Sequence, residues 1–327
     1  MISDRAVMFA GIVYALAFVA HIVEWAIGRT PAEPQAKVPV AASTGAAEAG
    51  ASTTADAVIA DDNGEGAGSD RELRVETYGR IGVAMTLIAA VLHGMGLLAR
   101  GLATDPIRVP WGNMYEFTLA GTFGVAVIYL VLLRRYDLRW LGMVVTGFLV
   151  TVLMLDVTVL YKDAGPVMPA LHSYWLVIHV LAAVVATGCF IVGGMLSAMY
   201  LVKERAARRE RIPAGGFLDR LPDLGVLDRV SYRLHAIGFP IWTFAALIAG
   251  PIWAKAAWGS YWSWDPKEVW AFITWVVYAA YLHARATAGY KGRIAAIIAL
   301  IGLATLLFNF VGINFFFGGG SQHSYAK

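Results

Sequence analysis

The chain has 327 residues, of which 58% are hydrophobic and only 15% are charged, and its formal net charge at pH 7 is +3. Together with a mean hydropathy of +0.62, this composition excludes an ordinary soluble domain and indicates a protein that crosses a membrane several times. The small net charge gives no support to a nucleic-acid-binding function. The single cysteine, Cys189, lies in an apolar run, so the chain has no internal disulfide and no CxxC motif.

Eight apolar runs predict transmembrane helices, because crossing a bilayer takes roughly 20 apolar residues whose backbone groups bond to each other. The runs cover residues 6–27, 79–100, 114–133, 140–161, 174–202, 236–255, 269–287 and 294–317. The first run is too long for the apolar part of a signal peptide, and we expect it to be retained. The predicted fold class is an all-α polytopic membrane protein with about eight transmembrane helices.

Three segments are predicted from the change in composition along the chain. Residues 1–27 form the first transmembrane helix, and residues 79–327 form a transmembrane domain with an external tryptophan-rich segment at 256–268. Between them, residues 28–78 are rich in Ala, Gly, Ser, Thr and acids and show no apolar periodicity. Such a segment cannot bury enough apolar surface to fold, so we expect a disordered cytoplasmic linker.

The distribution of Lys and Arg predicts the orientation. With the N-terminus outside, 19 of the 26 basic residues fall in the inner segments 28–80, 134–139, 203–233 and 285–293. Cytoplasmic loops carry this excess of positive charge, so both termini are predicted to be extracytoplasmic. We expect a multi-pass protein of a cell membrane, with the bacterial plasma membrane favoured over a thylakoid.

Residues 258–270 hold four Trp and one Tyr among thirteen residues, in a loop predicted to be external. Trp and Tyr gather at membrane interfaces, which explains part of this enrichment. Residues 265–268, Asp-Pro-Lys-Glu, also predict a helix start, with Asp265 as N-cap, Pro at N1 and Glu at N3. Neither explanation accounts for three tryptophans just upstream, and we interpret Trp258, Trp262 and Trp264 as a platform for a flat ligand.

Five of the seven histidines lie within or next to apolar runs. His179 is about one turn inside the outer end of the fifth helix, His323 follows the outer end of the eighth, and His283 is near the inner end of the seventh. An ionisable group inside a bilayer is costly and therefore a functional candidate, although a neutral imidazole bonded to a neighbouring helix is the alternative for each. The remaining histidines are His21, His93, His172 and His235.

Two histidines beside one aromatic platform suit haem, whose iron accepts an axial nitrogen on each face. No His-x₃-His pair or Cys and carboxylate cluster accompanies them, so a zinc or di-iron site is not favoured. Lys267 and Arg108 are outer cations that could meet haem propionates. Asp156, near the outer end of the fourth helix, is either a functional acid or a polar residue that reaches the headgroups.

Residues 258–268 resemble the tryptophan-rich "WWD" signature of the haem-handling proteins of cytochrome c assembly. The similarity continues in other segments of the chain, at 113–116, 169–180, 270–275, 281–285 and 323–325. Together these motifs resemble the CcsA/ResC type (called CcsB in some bacteria) of the System II branch, over about residues 80–327.

This resemblance implies a function in cytochrome c biogenesis with haem b as the bound group. It implies that His179 and His323 are external axial ligands, and that His283 is an intramembrane ligand nearer the cytoplasm. Trp258, Trp262, Trp264 and Asp265 would form the platform. A separate ResB-type membrane subunit would complete the inner site, and haem would be presented outside to the CxxCH motif of apocytochrome c. Any haem lyase activity would require that subunit.

Two other functions remain open from the residues alone. A cytochrome b-like electron-transfer subunit needs histidine pairs at matched depth on facing helices, and only His21 with His283 fits that requirement. A small-molecule permease would use the aromatic segment as an interface belt and would have broken helices near its binding site. Pro240 and Pro251 could kink the sixth helix in that way.

Overall fold

The computed structural model describes residues 2–28, 63–165, 173–213, 215–287 and 289–317. Within these ranges all regular structure is helical, and His172 and His323 lie outside them. Short 3₁₀ and π-helical turns also occur: Arg139–Leu141 is 3₁₀, whereas Asp156–Leu160, Phe244–Ala249 and Phe308–Gly312 are π-helical. The α-helices are α1 (Ile2–Ile27), α2 (Asn63–Leu102), α3 (Met114–Leu132), α4 (Gly142–Leu155), α5 (Tyr174–Ala207), α6 (Leu224–Thr243), α7 (Gly250–Trp258), α8 (Pro266–Ala286), α9 (Arg293–Leu307) and α10 (Ile313–Phe316).

Seven helical units among the described residues are long and apolar enough to cross a membrane. They contain α1, α2, α3, α4, α5, the continuous unit from α6 to α7, and the unit from α9 to α10. The eighth unit, α8, has 21 residues, and its Trp, Tyr and charged side chains make it less apolar than the others. These units confirm the predicted all-helical polytopic fold, whereas the orientation of the termini stays a prediction.

The start of α2 differs from the sequence-based expectation. The helix begins at Asn63 and therefore includes the last part of the segment predicted to be a disordered linker, while residues 29–62 lie outside the described ranges. Arg71 Nε donates to the carbonyl oxygen of Ile27 at 2.8 Å, and Arg80 pairs with Glu76 at 2.6 Å. Such i,i+4 pairs and a contact with α1 extend a helix beyond its apolar run.

Helix α5 lies at the centre of the bundle. It packs against α3 on one side and against α6, α7 and α9 on the other, while α1 to α4 form one group of packed helices and α6 to α10 a second group. Small side chains let neighbouring helices approach closely within a membrane. The buried face of α5 supplies them at Ala183, Ala186, Gly188, Gly193 and Gly194.

His235 directly precedes the sixth apolar run, 236–255, in the sequence, but the structure places it inside a helix. Because α6 begins at Leu224, His235 is several turns inside the helix and is fully buried. Its Nδ1–H donates to the Ser231 carbonyl oxygen at 2.7 Å, and its ring contacts the rings of Tyr278 and Tyr281. These contacts are those of a core histidine that joins α6 to α8.

His21 is enclosed within the first group of helices. It is fully buried, and its Nδ1 lies 3.2 Å from Glu24 Oε2. A Cβ atom on Gly82 or Gly142 would come within 2.6 Å of the His21 ring, so only glycine fits at these two contacts. Helix α1 packs on α2 and α4, whereas α8, which carries His283, packs on α6 and α9. The enclosed His21 ring has no face open to a haem, which argues against the His21–His283 pair that an electron-transfer subunit would need.

We expect Gly142→Ala to lower the melting temperature of the purified protein. The new methyl group would lie 2.5 Å from the His21 ring and 2.7 Å from the Tyr129 hydroxyl oxygen, and both side chains are fully buried. Overpacking of this kind costs about 1–3 kcal/mol. Gly11→Ala is the control, since no atom beyond the local backbone of its own helix would lie within 4 Å of the new methyl group. Equal melting temperatures for the two variants would contradict this packing.

Candidate functional site

A cavity of about 540 Å³ lies at the end of the bundle where α3, α5 and α8 begin. Its volume falls within the roughly 300–1,000 Å³ that is typical of small-molecule sites. The walls come from both groups of helices and from α5 between them. Most of the lining is apolar, and the titratable side chains that the described residues contribute to it are Asp156, His179, Lys267 and Glu268.

All three π-helical turns in the described part of the chain contribute to this cavity. The turn after α4 supplies Asp156 and Val159, the turn between α6 and α7 supplies Ala245 and Ala246, and the turn between α9 and α10 supplies Asn309 and Phe310. A π-helical turn interrupts the regular backbone ladder and changes the direction of nearby side chains, and such turns are frequent at functional sites. The helices around the cavity are thus irregular where they border it.

His179 lies in the wall in a fixed orientation. Its Nδ1 is 2.8 Å from the Ala245 carbonyl oxygen, which only accepts, so the proton is on Nδ1 and Nε2 is the basic nitrogen. The ring stacks on Trp253, with centroids 5.8 Å apart and planes 13° apart. A Cβ on Gly250 would lie 3.2 Å from Nδ1, so glycine permits the close approach. Metal-binding histidines are typically held through their second nitrogen in this way.

The structure gives the three predicted platform tryptophans three different positions. Trp262 lines the cavity. Trp258 does not line it and packs edge-on against Trp253, with the ring centroids 4.7 Å apart. Trp264 is 71% exposed, has a positive φ of 60°, and touches Trp262 edge-on at 5.9 Å. Only one of the three therefore forms part of the wall.

Three other tryptophans line the cavity and were missed as site residues, namely Trp111, Trp242 and Trp253. Trp111 stands beside the Asn113 motif and could have been included on that basis. Trp242 and Trp253 lie in an apolar run, where nothing in the sequence distinguishes a tryptophan in a cavity wall from one in the core.

Residues 265–268 form the predicted helix start. Asp265 Oδ1 accepts from the backbone N–H of Lys267 at 2.9 Å, and Glu268 Oε2 accepts from the backbone N–H of Asp265 at 3.1 Å. The reciprocal contacts of a capping box between Asp265 and Glu268 are also present. Asp265 is an N-cap outside the cavity lining, whereas Lys267 in the first turn of α8 is part of the wall.

Arg108 is bound elsewhere, which argues against its predicted contact with propionates. Its two terminal nitrogens lie 2.7 and 3.0 Å from the carboxylate of Glu116. Glu116 is fully buried, and it also accepts from Arg100 Nε at 3.0 Å and from the Gly112 backbone N–H at 2.7 Å. The Asn113 side chain caps α3 through the Glu116 backbone N–H at 2.9 Å. This network fixes the turn that presents Asn113 to the cavity.

The remaining candidates lie at opposite ends of the bundle. His283 is in the last turn of α8, whose first turn borders the cavity, and its side chain is exposed. The length of α8 therefore separates His283 from the cavity that contains His179. The sequence likewise predicts His283 near the inner end of its helix and His179 near an outer end. Asp156 is fully buried in the cavity wall and does not reach outward as a headgroup contact would.

The family model described as "Cytochrome C assembly protein" matches residues 111–319, which include all the cavity walls. The chain is 34% identical over 261 residues to a protein of Guillardia theta, with 75% of this chain and 85% of the relative covered. It is 34% identical over 287 residues to a protein of Synechococcus elongatus, covering 75% and 87%. Both relatives are named "Cytochrome c biogenesis protein CcsA". The chain therefore belongs to the cytochrome c assembly protein family and is a multi-pass membrane protein of cytochrome c biogenesis.

Proposed function

We propose that the chain binds haem as cargo in the 540 Å³ cavity, with His179 as an axial ligand of the iron, and presents it to apocytochrome c. The observation that carries this proposal is the orientation of His179, whose Nδ1 donates to Ala245 at 2.8 Å. Histidine is a standard axial ligand of haem iron. An otherwise apolar and aromatic wall suits the faces of a porphyrin, and Lys267 in the same wall suits a propionate.

We assign the second external ligand to His323, in accord with the resemblance. This residue lies outside the described ranges, but the preceding helix reaches the cavity, because α10 ends at Phe316 and Phe315 is part of the lining. Each extended residue spans about 3.3 Å. The chain between Phe316 and His323 is thus long enough to bring an imidazole back to the cavity.

At the opposite end, His283 is proposed as the ligand that receives haem first. Its exposed position at the end of α8 leaves access for a second ligand from another subunit, which we propose is of the ResB type. Haem b would then move outward to His179. In a bacterium the membrane concerned would be the plasma membrane.

The attachment of haem to apocytochrome c depends on how the vinyl groups are placed beside the cysteine thiols, more than on a reactive side chain of this protein. Each thioether forms when a cysteine S–H adds across a haem vinyl group: the sulfur bonds to one vinyl carbon and the proton goes to the other. No net oxidation occurs, so the two cysteines must arrive as free thiols. A protein that holds the porphyrin edge beside the CxxCH thiols gains rate through proximity and orientation.

The test is an absorption spectrum of the full chain, purified with and without a co-expressed ResB-type subunit. We expect a Soret band that grows when the subunit is present, together with cytochrome c maturation in the cells. A Soret band that titrates reversibly without the subunit, in cells that mature no cytochrome c, would instead favour an electron-transfer protein. No Soret band in either preparation would refute haem binding.

Trp262 and Trp264 should respond differently to substitution. Trp262 lines the cavity and Trp264 is 71% exposed, so Trp262→Ala should remove stacking surface and weaken haem binding about tenfold, whereas Trp264→Ala should leave it unchanged. Aromatic contacts of this kind contribute about 0.5–1.5 kcal/mol beyond their buried area. Soret titration of both variants checks the prediction, and equal losses in affinity would contradict the assigned positions.

A further inference from the structure

Asp156 is an acidic side chain in the cavity wall. It is fully buried, and neither carboxyl oxygen has a hydrogen-bond partner among the described residues. It occupies the first position of a π-helical turn and borders the same cavity as His179. A buried polar group without a hydrogen bond costs free energy. The cavity therefore contains a carboxyl group that is available to a polar group of a ligand.

The neighbouring charges do not supply that partner. Arg100 binds Glu116 at 3.0 Å and donates to the carbonyl oxygen of Lys162. Glu268, the other acid of the wall, accepts from the Ser263 and Asp265 backbone N–H groups. Asp156 thus differs from Glu268, whose hydrogen bonds are made within the protein.

Thr118 strengthens the case for a polar subsite. Its buried hydroxyl has no hydrogen-bond partner in the part of the chain that the structure describes. Thr118 also lines the cavity, and α3 packs against the π-helical turn that carries Asp156. Burial of an unpaired carboxylate is costly, which favours the neutral acid. A hydroxyl and a neutral carboxyl on two packed elements can together bind one carboxylate, since each has an O–H that donates. Hydrogen bonds to an ionised acceptor are roughly twice as strong as neutral ones.

We propose that Asp156, in its neutral form and with help from Thr118, binds a carboxylate of the cavity ligand, which in the proposed function is a haem propionate. This inference rests on the proposed function. It assigns to Asp156 the selection of porphyrins that carry carboxylate groups. Asp156 acts as a positioning residue: it fixes the rotation of the porphyrin about its iron and hence the direction of the vinyl groups.

The experiment measures the affinity of the purified full chain for two probes by Soret titration. One probe is haem, and the other is an iron porphyrin with alkyl groups in place of the propionates. We expect Asp156→Leu to weaken haem binding about tenfold and to leave the alkyl porphyrin unaffected. Asp156→Asn keeps an N–H donor and should bind haem within about twofold of wild type. Thr158→Leu, an exposed position in the same π-helical turn, is the matched control.

The outcomes separate this inference from the proposed function. Unchanged haem affinity in Asp156→Leu, or equal weakening of both porphyrins, overturns the role of Asp156. A wild-type protein without a His179-dependent Soret band overturns the proposed function and this inference with it. Should the leucine variant fail to fold, Asp156→Ala provides the same comparison between the two probes.

Discussion

Replacement of His179 with alanine is expected to abolish the haem Soret band of the purified protein and cytochrome c maturation in cells. His179 lies in the cavity wall, and its Nδ1 donates to the Ala245 carbonyl oxygen at 2.8 Å. This hydrogen bond leaves Nε2 as the basic nitrogen that would bind the iron. Loss of a residue that merely supports a metal ligand lowers metal affinity about 10–100-fold, so loss of the ligand itself should lower haem affinity at least that much.

Two controls distinguish a lost ligand from a damaged fold. Tyr174→Ala changes an exposed residue of the same helix and should retain haem. Imidazole added to His179→Ala should partly restore the Soret band, because it can occupy the space of the missing ring. Unchanged spectra and maturation in His179→Ala would show that the iron is not bound at this residue.

Among the substitutions considered, Glu116→Gln should cause the largest decrease in the free energy of unfolding. The carboxylate is fully buried between two guanidinium groups, of which Arg100 is 2% and Arg108 is 11% exposed. Removal of one partner from a buried ion pair costs about 3–5 kcal/mol, because the remaining charges stay buried without compensation. The melting temperature of the purified protein measures this loss.

Glu76→Gln is the matched control for this variant. Glu76 pairs with Arg80 at 2.6 Å, but both side chains are largely exposed, and exposed pairs contribute about 0–1 kcal/mol. We therefore expect little change in its melting temperature. If the two variants melt alike, the Arg100–Glu116–Arg108 network does not hold the turn before α3.

The expected loss of stability also has a consequence for the site. Gly112 donates to Glu116 at 2.7 Å, and the residues on either side of it, Trp111 and Asn113, line the cavity. Glu116→Gln should therefore weaken haem binding as well as folding. That effect is indirect and should affect haem and the alkyl porphyrin equally, unlike the effect of Asp156→Leu.

Local sequence patterns determined the helical architecture and the residue at which α8 begins. Apolar runs of sufficient length define the helices because a bilayer requires backbone groups to bond within a segment. The Asp265 capping box depends only on residues within one turn, so residues 265–268 were enough to predict it. The WWD resemblance, carried by spaced residues on several helices, indicated cytochrome c assembly before any contact was known.

Only the tertiary structure decided which side chains form the cavity. Trp253 and Trp258 are both tryptophans near the end of one helical unit, yet only Trp253 lines the wall. Likewise His21 and His235 are enclosed by neighbouring helices, whereas His179 lies in the wall. The physical reason is that the three π-helical turns and the packing of α3, α7 and α9 around α5 set these directions. Such contacts join residues far apart in sequence, which local periodicity does not encode.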